Sequence, residues 1–220
     1  MKWLNSLDEL LYEVMSWLVF YPLTFWRAMT RPLDMMAYAD RQLLLPEDKQ
    51  YSNALSPPLF LILTLLVAHG LAVALGQTDQ IVADRHGLAA TITDDSSALL
   101  LRVFVFAIFP LVYALRLLRA THQSIDRESL RQPFYAQCYP AALFALGLSL
   151  STTLATLGWS LARIACLAIL AAAFLHFMTA EARWFAAKRK IGLIRAVGDT
   201  LRCFVESFAL LILVGVLFTR

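Results

Sequence analysis

Residues 57–76, PPLFLILTLLVAHGLAVALG, decide the fold, because they run without a single Asp, Glu, Lys or Arg. An α-helix rises about 1.5 Å per residue, so a run of this length matches the roughly 30 Å hydrocarbon core of a bilayer. Four further runs are also long and mostly apolar: 99–118, 140–158, 161–180 and 202–219. Hydrophobic residues make up 60% of the chain and the mean hydropathy is +0.64. Soluble domains hold about 45–50%, so a water-soluble core cannot absorb these runs. The expected fold is all-α: a polytopic membrane protein with five transmembrane helices in residues 57–220. A helical segment, residues 1–56, precedes them.

The basic residues orient these runs. Lys2, Arg27, Arg31, Arg41 and Lys49 come before the first run. Arg116, Arg119, Arg127 and Arg131 flank the link from second to third, and Arg183, Lys188, Arg189, Lys190, Arg195 and Arg202 lead into the fifth. The alternate links hold only Arg85 and Arg163. The positive-inside rule then places the N-terminus in the cytoplasm and the C-terminus outside, as for a bacterial inner-membrane protein. The net charge of +3 is accounted for by these links, so nucleic acid is not an expected partner. Cys138, Cys166 and Cys203 form no C-x-x-C pair and have no His at ligand spacing. They read as small packing residues, and neither a metal nor another cofactor is expected. Asp8, Glu9 and Glu13 interrupt the place where the apolar segment of a secretory peptide would run.

In residues 1–28, Leu4, Leu7, Leu11, Val14 and Leu18 recur at helical spacing, which predicts an amphipathic helix. Ser6 and Glu9 match a capping box. The apolar run from Val14 to Trp26 is short for a crossing, and Trp3, Trp17, Tyr21 and Trp26 suit a headgroup level. The helix is therefore expected along the inner leaflet; the alternative is that it packs on the protein's own spans or on a partner. Pro22 is expected to kink or break it. Thr30 is expected to cap a short helix around 33–44, and Ser56 to cap the first span ahead of Pro57.

Ionisable groups inside spans need a partner or a route to water. Counting along spans four and five puts His176 and Glu206 at a similar depth, about 6 Å inside the cytoplasmic boundary. They form a candidate intramembrane pair, since a His beside a carboxylate is one form of proton relay. The alternative is that Glu206 pairs with Arg202, four residues back. On the outer side, His69 and Arg102 are candidate polar positions bracketing a small cavity. Their ordinary alternatives are a neutral His bonded to a backbone carbonyl and an Arg reaching the headgroups.

Ser149, Thr152 or Thr153, Thr156 and Ser160 recur at helical spacing, and the next span carries Ala162, Ala165, Ala168 and Ala172. Small residues let helices approach closely in lipid, which predicts a tight antiparallel hairpin of spans three and four; a polar path is the other reading. Residues 181–201 combine Trp184, Ile191, Ile194, Val197 and Leu201 with Arg183, Lys188, Arg189, Lys190 and Arg195. That composition suits a basic interfacial helix contacting anionic lipid, or simple retention of positive charge. The link 77–98, with Asp79, Asp84, Asp94 and Asp95, reads as a soft connector or a docking surface.

The polar, Pro-led start of the first span, Ser56-Pro57-Pro58-Leu59-Phe60, followed by five closely spaced helices, resembles the small five-span Yip-type membrane proteins and the bacterial chains labelled permeases beside them. The resemblance covers residues 30–220 in topology. It implies a non-enzymatic membrane protein acting through lipids or protein partners. The acidic-Leu-Tyr-Gly-Pro signature of the eukaryotic members is missing, so no trafficking role and no functional residue is carried over. No H-E-x-x-H, G-x-S-x-G or Walker loop is found, and no enzyme is expected. The leading expectation is an accessory or scaffold subunit that binds inner-leaflet anionic lipids together with a larger membrane partner or further copies of itself. The alternative is a small permease for a small or lipid-like solute.

Overall fold

The computed structural model describes residues 2–76 and 95–219, with the side chains of 2–10, 48, 95–98 and 217–219 outside that description. The Ser6 and Glu9 cap, Trp3, Leu4, Leu7 and the acidic side chains Asp79, Asp84, Asp94 and Asp95 therefore lie outside the described residues. The described chain is helical: α1 (Lys2–Thr30), α2 (Pro32–Gln42), α3 (Pro57–Ala74), α4 (Asp95–Ala120), α5 (Arg127–Ala155), α6 (Ser160–Arg189) and α7 (Leu193–Thr219), with a single 3-10 turn at Glu47–Lys49.

Among the described residues four helices are long and apolar enough to cross a membrane: Pro57–Ala74, Leu99–Ala120, Arg127–Ala155 and Ser160–Arg189. The expected crossing at 202–219 falls in α7, which is not one of the four; its last side chains are outside the description, and the described part carries Asp199, Arg202 and Glu206. The apolar run from Pro140 is the second half of a longer helix, α5, that passes through both Pro133 and Pro140. Residues 181–200 form no separate interfacial helix. α6 continues to Arg189, Lys190 turns with φ of 52°, and α7 begins at Leu193. At 30 residues, α6 is about 45 Å long and exceeds the hydrocarbon core, so its basic end projects as helix.

α1 is unbroken at Pro22. The proline removes one hydrogen bond, to the carbonyl four residues back, and its neighbours on α1 are fixed by packing: the Tyr21 ring lies 5.6 Å from that of Phe60 on α3. Two expected caps are also corrected. Thr30 is the last residue of α1 and its hydroxyl donates to the Trp26 carbonyl at 2.7 Å, so Arg31 occupies the N-cap of α2. Ser56 is the N-cap of α3 but makes no side-chain cap bond. The backbone of Leu55 beside it is instead gripped by two buried side chains, Thr24 and Tyr139.

α5 is the central helix, with α1, α2, α3, α4 and α6 all packed on it, while α7 rests on α4 and α6. Ala136, Ala141, Ala142, Ala145 and Gly147 keep its faces low enough for close neighbours. A Cβ built at Gly147 would lie 2.3 Å from the Ala173 Cβ. The Ser151 hydroxyl donates to the Cys166 carbonyl at 2.9 Å. The expected hairpin of α5 and α6 therefore exists, but its seam runs through Gly147, Ser151, Cys166 and Ala173, and Thr152, Thr156, Ala168 and Ala172 are exposed. The helices rotate so that the smallest residues meet.

One aromatic cluster joins four helices. The Phe109, Phe144, Phe177 and Phe204 rings come from α4, α5, α6 and α7, with Phe144 and Phe177 centroids 5.2 Å apart. Tilted and edge-on pairs of this kind contribute about 0.5–1.5 kcal/mol each beyond area burial. At the start of α5, the Asp126 carboxylate accepts from the amides of Glu128 and Ser129 in a capping box. Bonds from the Ser129 amide and the Ser124 hydroxyl hold that carboxyl below the usual carboxylate range.

Candidate functional site at the basic end of the bundle

α2 packs across the basic end of the bundle, burying Met35, Met36, Ala39 and Asp40. Asp40 receives Lys188 of α6 at 2.5 Å, and the Lys188 ammonium also lies 4.7 Å from the Trp184 ring centroid. Asp199, near the start of α7, receives Arg116 of α4 at 2.8 Å and Arg189 of α6. Burial pushes the Asp199 carboxyl up, but the bonds from Arg116 and Arg189 outweigh it and hold the carboxyl below the usual carboxylate range. These pairs staple the ends of α2, α4, α6 and α7.

The five expected lipid-contacting residues therefore divide. Lys188 and Arg189 are committed to carboxylates, whereas Arg183, Lys190 and Arg195 are exposed. The division could not be seen in sequence because the acidic partners lie 148 and 10 residues away.

The expected pair of His176 and Glu206 is not brought together. His176 Nε2 lies 3.0 Å from the Met29 carbonyl oxygen, and Glu206 accepts from Arg202 Nε at 2.8 Å. Met29 is in the last turn of α1, where carbonyls have no partner in their own helix, so docking α1 beside α6 gives the imidazole a ready partner. Glu206 finds Arg202 one turn away on an exposed face. His69 on α3 and Arg102 on α4 are half-buried and each has an interaction partner.

Two fully buried polar residues were missed. Glu181 is 0% exposed and Gln137 1% exposed, on adjacent turns of α6 and α5. Gln137 faces Glu181, yet neither carboxyl oxygen and neither amide atom closes a hydrogen bond; the indole Nε1 of Trp184 also lacks one. Their signal was in the sequence. Phe177, Glu181, Trp184, Phe185 and Lys188 recur at spacings of four, three, one and three, so the buried stripe of α6 continues past Ala180 and carries Glu181 inward.

Two neighbouring cavities open at the same end. One, of about 200 Å³, is lined by Arg27, Arg31, Asp34, Met35, Tyr38, Arg41 and Ala54. The other, of about 240 Å³, shares Arg31 and Asp34 and reaches Thr179 and Arg183. Burial raises the Tyr38 phenol, against the opposing pull of the Arg27 charge. Among the described residues no cluster of His, Cys, Asp and Glu could hold a metal ion.

Fold and site together define a class: an all-helical chain with four helices able to cross a membrane and its polar groups concentrated at one end. Compared with known protein families, with curated proteins and with solved structures, the chain finds no match. Its function is read from its own chemistry.

Proposed function

We propose that the protein is a non-enzymatic accessory or scaffold subunit of a bacterial inner membrane, crossing it five times, with α7 as the fifth span. Its basic end faces the cytoplasm and holds anionic lipid and a larger membrane partner. The observation that carries this reading is the division of α1. Thr24 and Ala28 near its C-terminal end are buried against the bundle, whereas Leu11, Tyr12, Met15, Leu18 and Val19 are exposed. An apolar helical surface beside a basic one is what an interfacial or partner-binding helix presents. The exposed Val205, Ile212 and Leu213 support a lipid-facing α7, and the resemblance to Yip-type proteins points the same way.

The test is co-purification from native membranes under lipid-retaining conditions, with proteins and lipids identified by mass spectrometry. The truncation ends at residue 15, because cutting to residue 28 would remove the buried Thr24 and Ala28. A stoichiometric partner lost on removing residues 1–15 supports the accessory reading. A chain that purifies alone, with or without those residues, overturns it.

A permease is the second reading, favoured by Gln137 and Glu181. Buried ionisable groups in membrane bundles mark solute or proton paths by default. Proton flux into proteoliposomes, read with an entrapped pH-sensitive dye and lost in E181Q, would support it; flux equal to that of empty liposomes counts against it.

A further inference from the structure

Positive charge at the basic end is not evenly used. Lys188 is paired with Asp40, while Arg116 and Arg189 share the single carboxylate of Asp199. Arg31 and Arg41 have no ion pair among the described residues, yet both line the cavity of about 200 Å³ together with Arg27. These guanidiniums come from the last turn of α1, the N-cap of α2 and the last turn of α2. Three guanidiniums and one carboxylate, Asp34, leave two positive charges on the cavity wall.

All three arginines are exposed, and one of them is fixed by the fold. Arg27 Nη1 donates to the Asn53 carbonyl at 3.0 Å, which fixes its head beside the 46–56 connector and leaves its other N–H groups to spare. Pro32 opens α2 and no side chain caps it, and this first turn lines the adjoining cavity together with Arg31 and Arg183. Guanidinium forks match phosphate oxygens two at a time, and basic pockets at the cytoplasmic ends of spans hold phosphate headgroups. Exposed Trp26 and Met29 flank Arg27 on α1, and Leu44 and Leu45 follow Arg41, an apolar border suited to acyl chains.

We propose that the cavity lined by Arg27, Arg31 and Arg41 is a binding site for a phosphate group, carried by an anionic lipid headgroup or by a free phosphate ester. The site deepens the lipid-binding part of the proposed function. It is separable from the partner-binding part, because residues 1–15 do not line the cavity.

The experiment titrates delipidated full-length protein in detergent with phosphatidylglycerol, phosphatidylcholine and inorganic phosphate, read by native mass spectrometry. R31Q/R41Q removes two cavity charges without touching the Arg27 bond. R119Q/R127Q removes the same charge from equally exposed positions at the same end that do not line the cavity. Monodisperse elution of both variants establishes that they fold. One phosphatidylglycerol is expected to bind saturably and to be weakened about tenfold or more in R31Q/R41Q, with R119Q/R127Q within about twofold of the parent. R31K/R41K should fall between, because charge is kept while the fork is lost. Competition by inorganic phosphate with the same arginine dependence supports the site and assigns it a free phosphate ester; failure to compete assigns it the lipid. Equal weakening in the two Gln variants, or phosphatidylcholine binding as tightly as phosphatidylglycerol, overturns the proposal. Loss of the protein partner on removing residues 1–15 is scored separately and bears only on the accessory reading.

Discussion

The Tyr139 phenol donates to the Leu55 carbonyl at 2.8 Å, 84 residues away in sequence and buried inside the bundle. The amide of the same Leu55 donates to Thr24 Oγ1 at 3.0 Å. One residue thus joins α1, the connector and α5 just before the first span. Tyr139→Phe strands a buried carbonyl and is expected to cost about 1–3 kcal/mol, and Thr24→Val should cost a similar amount by stranding the amide. Thermal unfolding in detergent should register each as a loss of several degrees; unchanged midpoints would show that the connector is not held there.

Gly147 and Gly198 form a matched pair of helical glycines with opposite surroundings. At Gly147 a Cβ meets Ala173 at 2.3 Å, whereas at Gly198 nothing lies within 4 Å. Gly147→Ala should destabilise by about 1–3 kcal/mol through overpacking. Gly198→Ala should stabilise by up to about 1 kcal/mol through helix propensity. Both shifts are readable in one series of melting curves, and a stabilising Gly147→Ala would refute the close α5 and α6 seam.

Asp199 gives the basic end a defined acid sensitivity. Its folded carboxyl is held below the ordinary value of about 3.9, so its bonds to Arg116 and Arg189 contribute fully above that value and are lost as pH falls through the lower folded one. Stability should therefore drop as pH falls below about 4, and this part of the drop should vanish in Asp199→Asn. At neutral pH the same variant is expected to cost roughly 1.5–3 kcal/mol, since two charge-assisted bonds are weakened. Melting midpoints measured from neutral pH downward check both statements.

His176 and Glu206 sit on different partners, Met29 and Arg202. His176→Ala and Glu206→Gln should therefore add to within about 0.3–0.5 kcal/mol in the double variant. A larger coupling energy would restore the relay that their similar depth suggested.

Much of the fold was legible in one dimension. Span length and the absence of charge are local quantities, so the apolar stretches of α3, α4 and α6 were found near their observed positions. Helix ends were less legible. Thr30 and Ser56 have cap chemistry, yet packing of α1 gave the hydroxyl of Thr24 a more consequential bond than either. Pro22, Pro133 and Pro140 did not end their helices, because each forfeits one hydrogen bond while its neighbours stay packed. The candidate site was legible only as composition. Basic residues could be counted at one end, but which of them were already neutralised depended on Asp40 and Asp199, brought in from α2 and α7.

The sequence by itself determined that this chain is helical, apolar enough to enter a bilayer and basic at alternate links, because those properties depend on runs of neighbouring residues. Tertiary structure alone decided that Glu181 faces Gln137 in the core, that His176 meets Met29 and that Arg27, Arg31 and Arg41 share a cavity. The reason is geometric. Each helix can turn about its own axis, and only the simultaneous packing of small residues such as Gly147 and Ala173, with the aromatic cluster around Phe177, fixes which face of every helix looks inward.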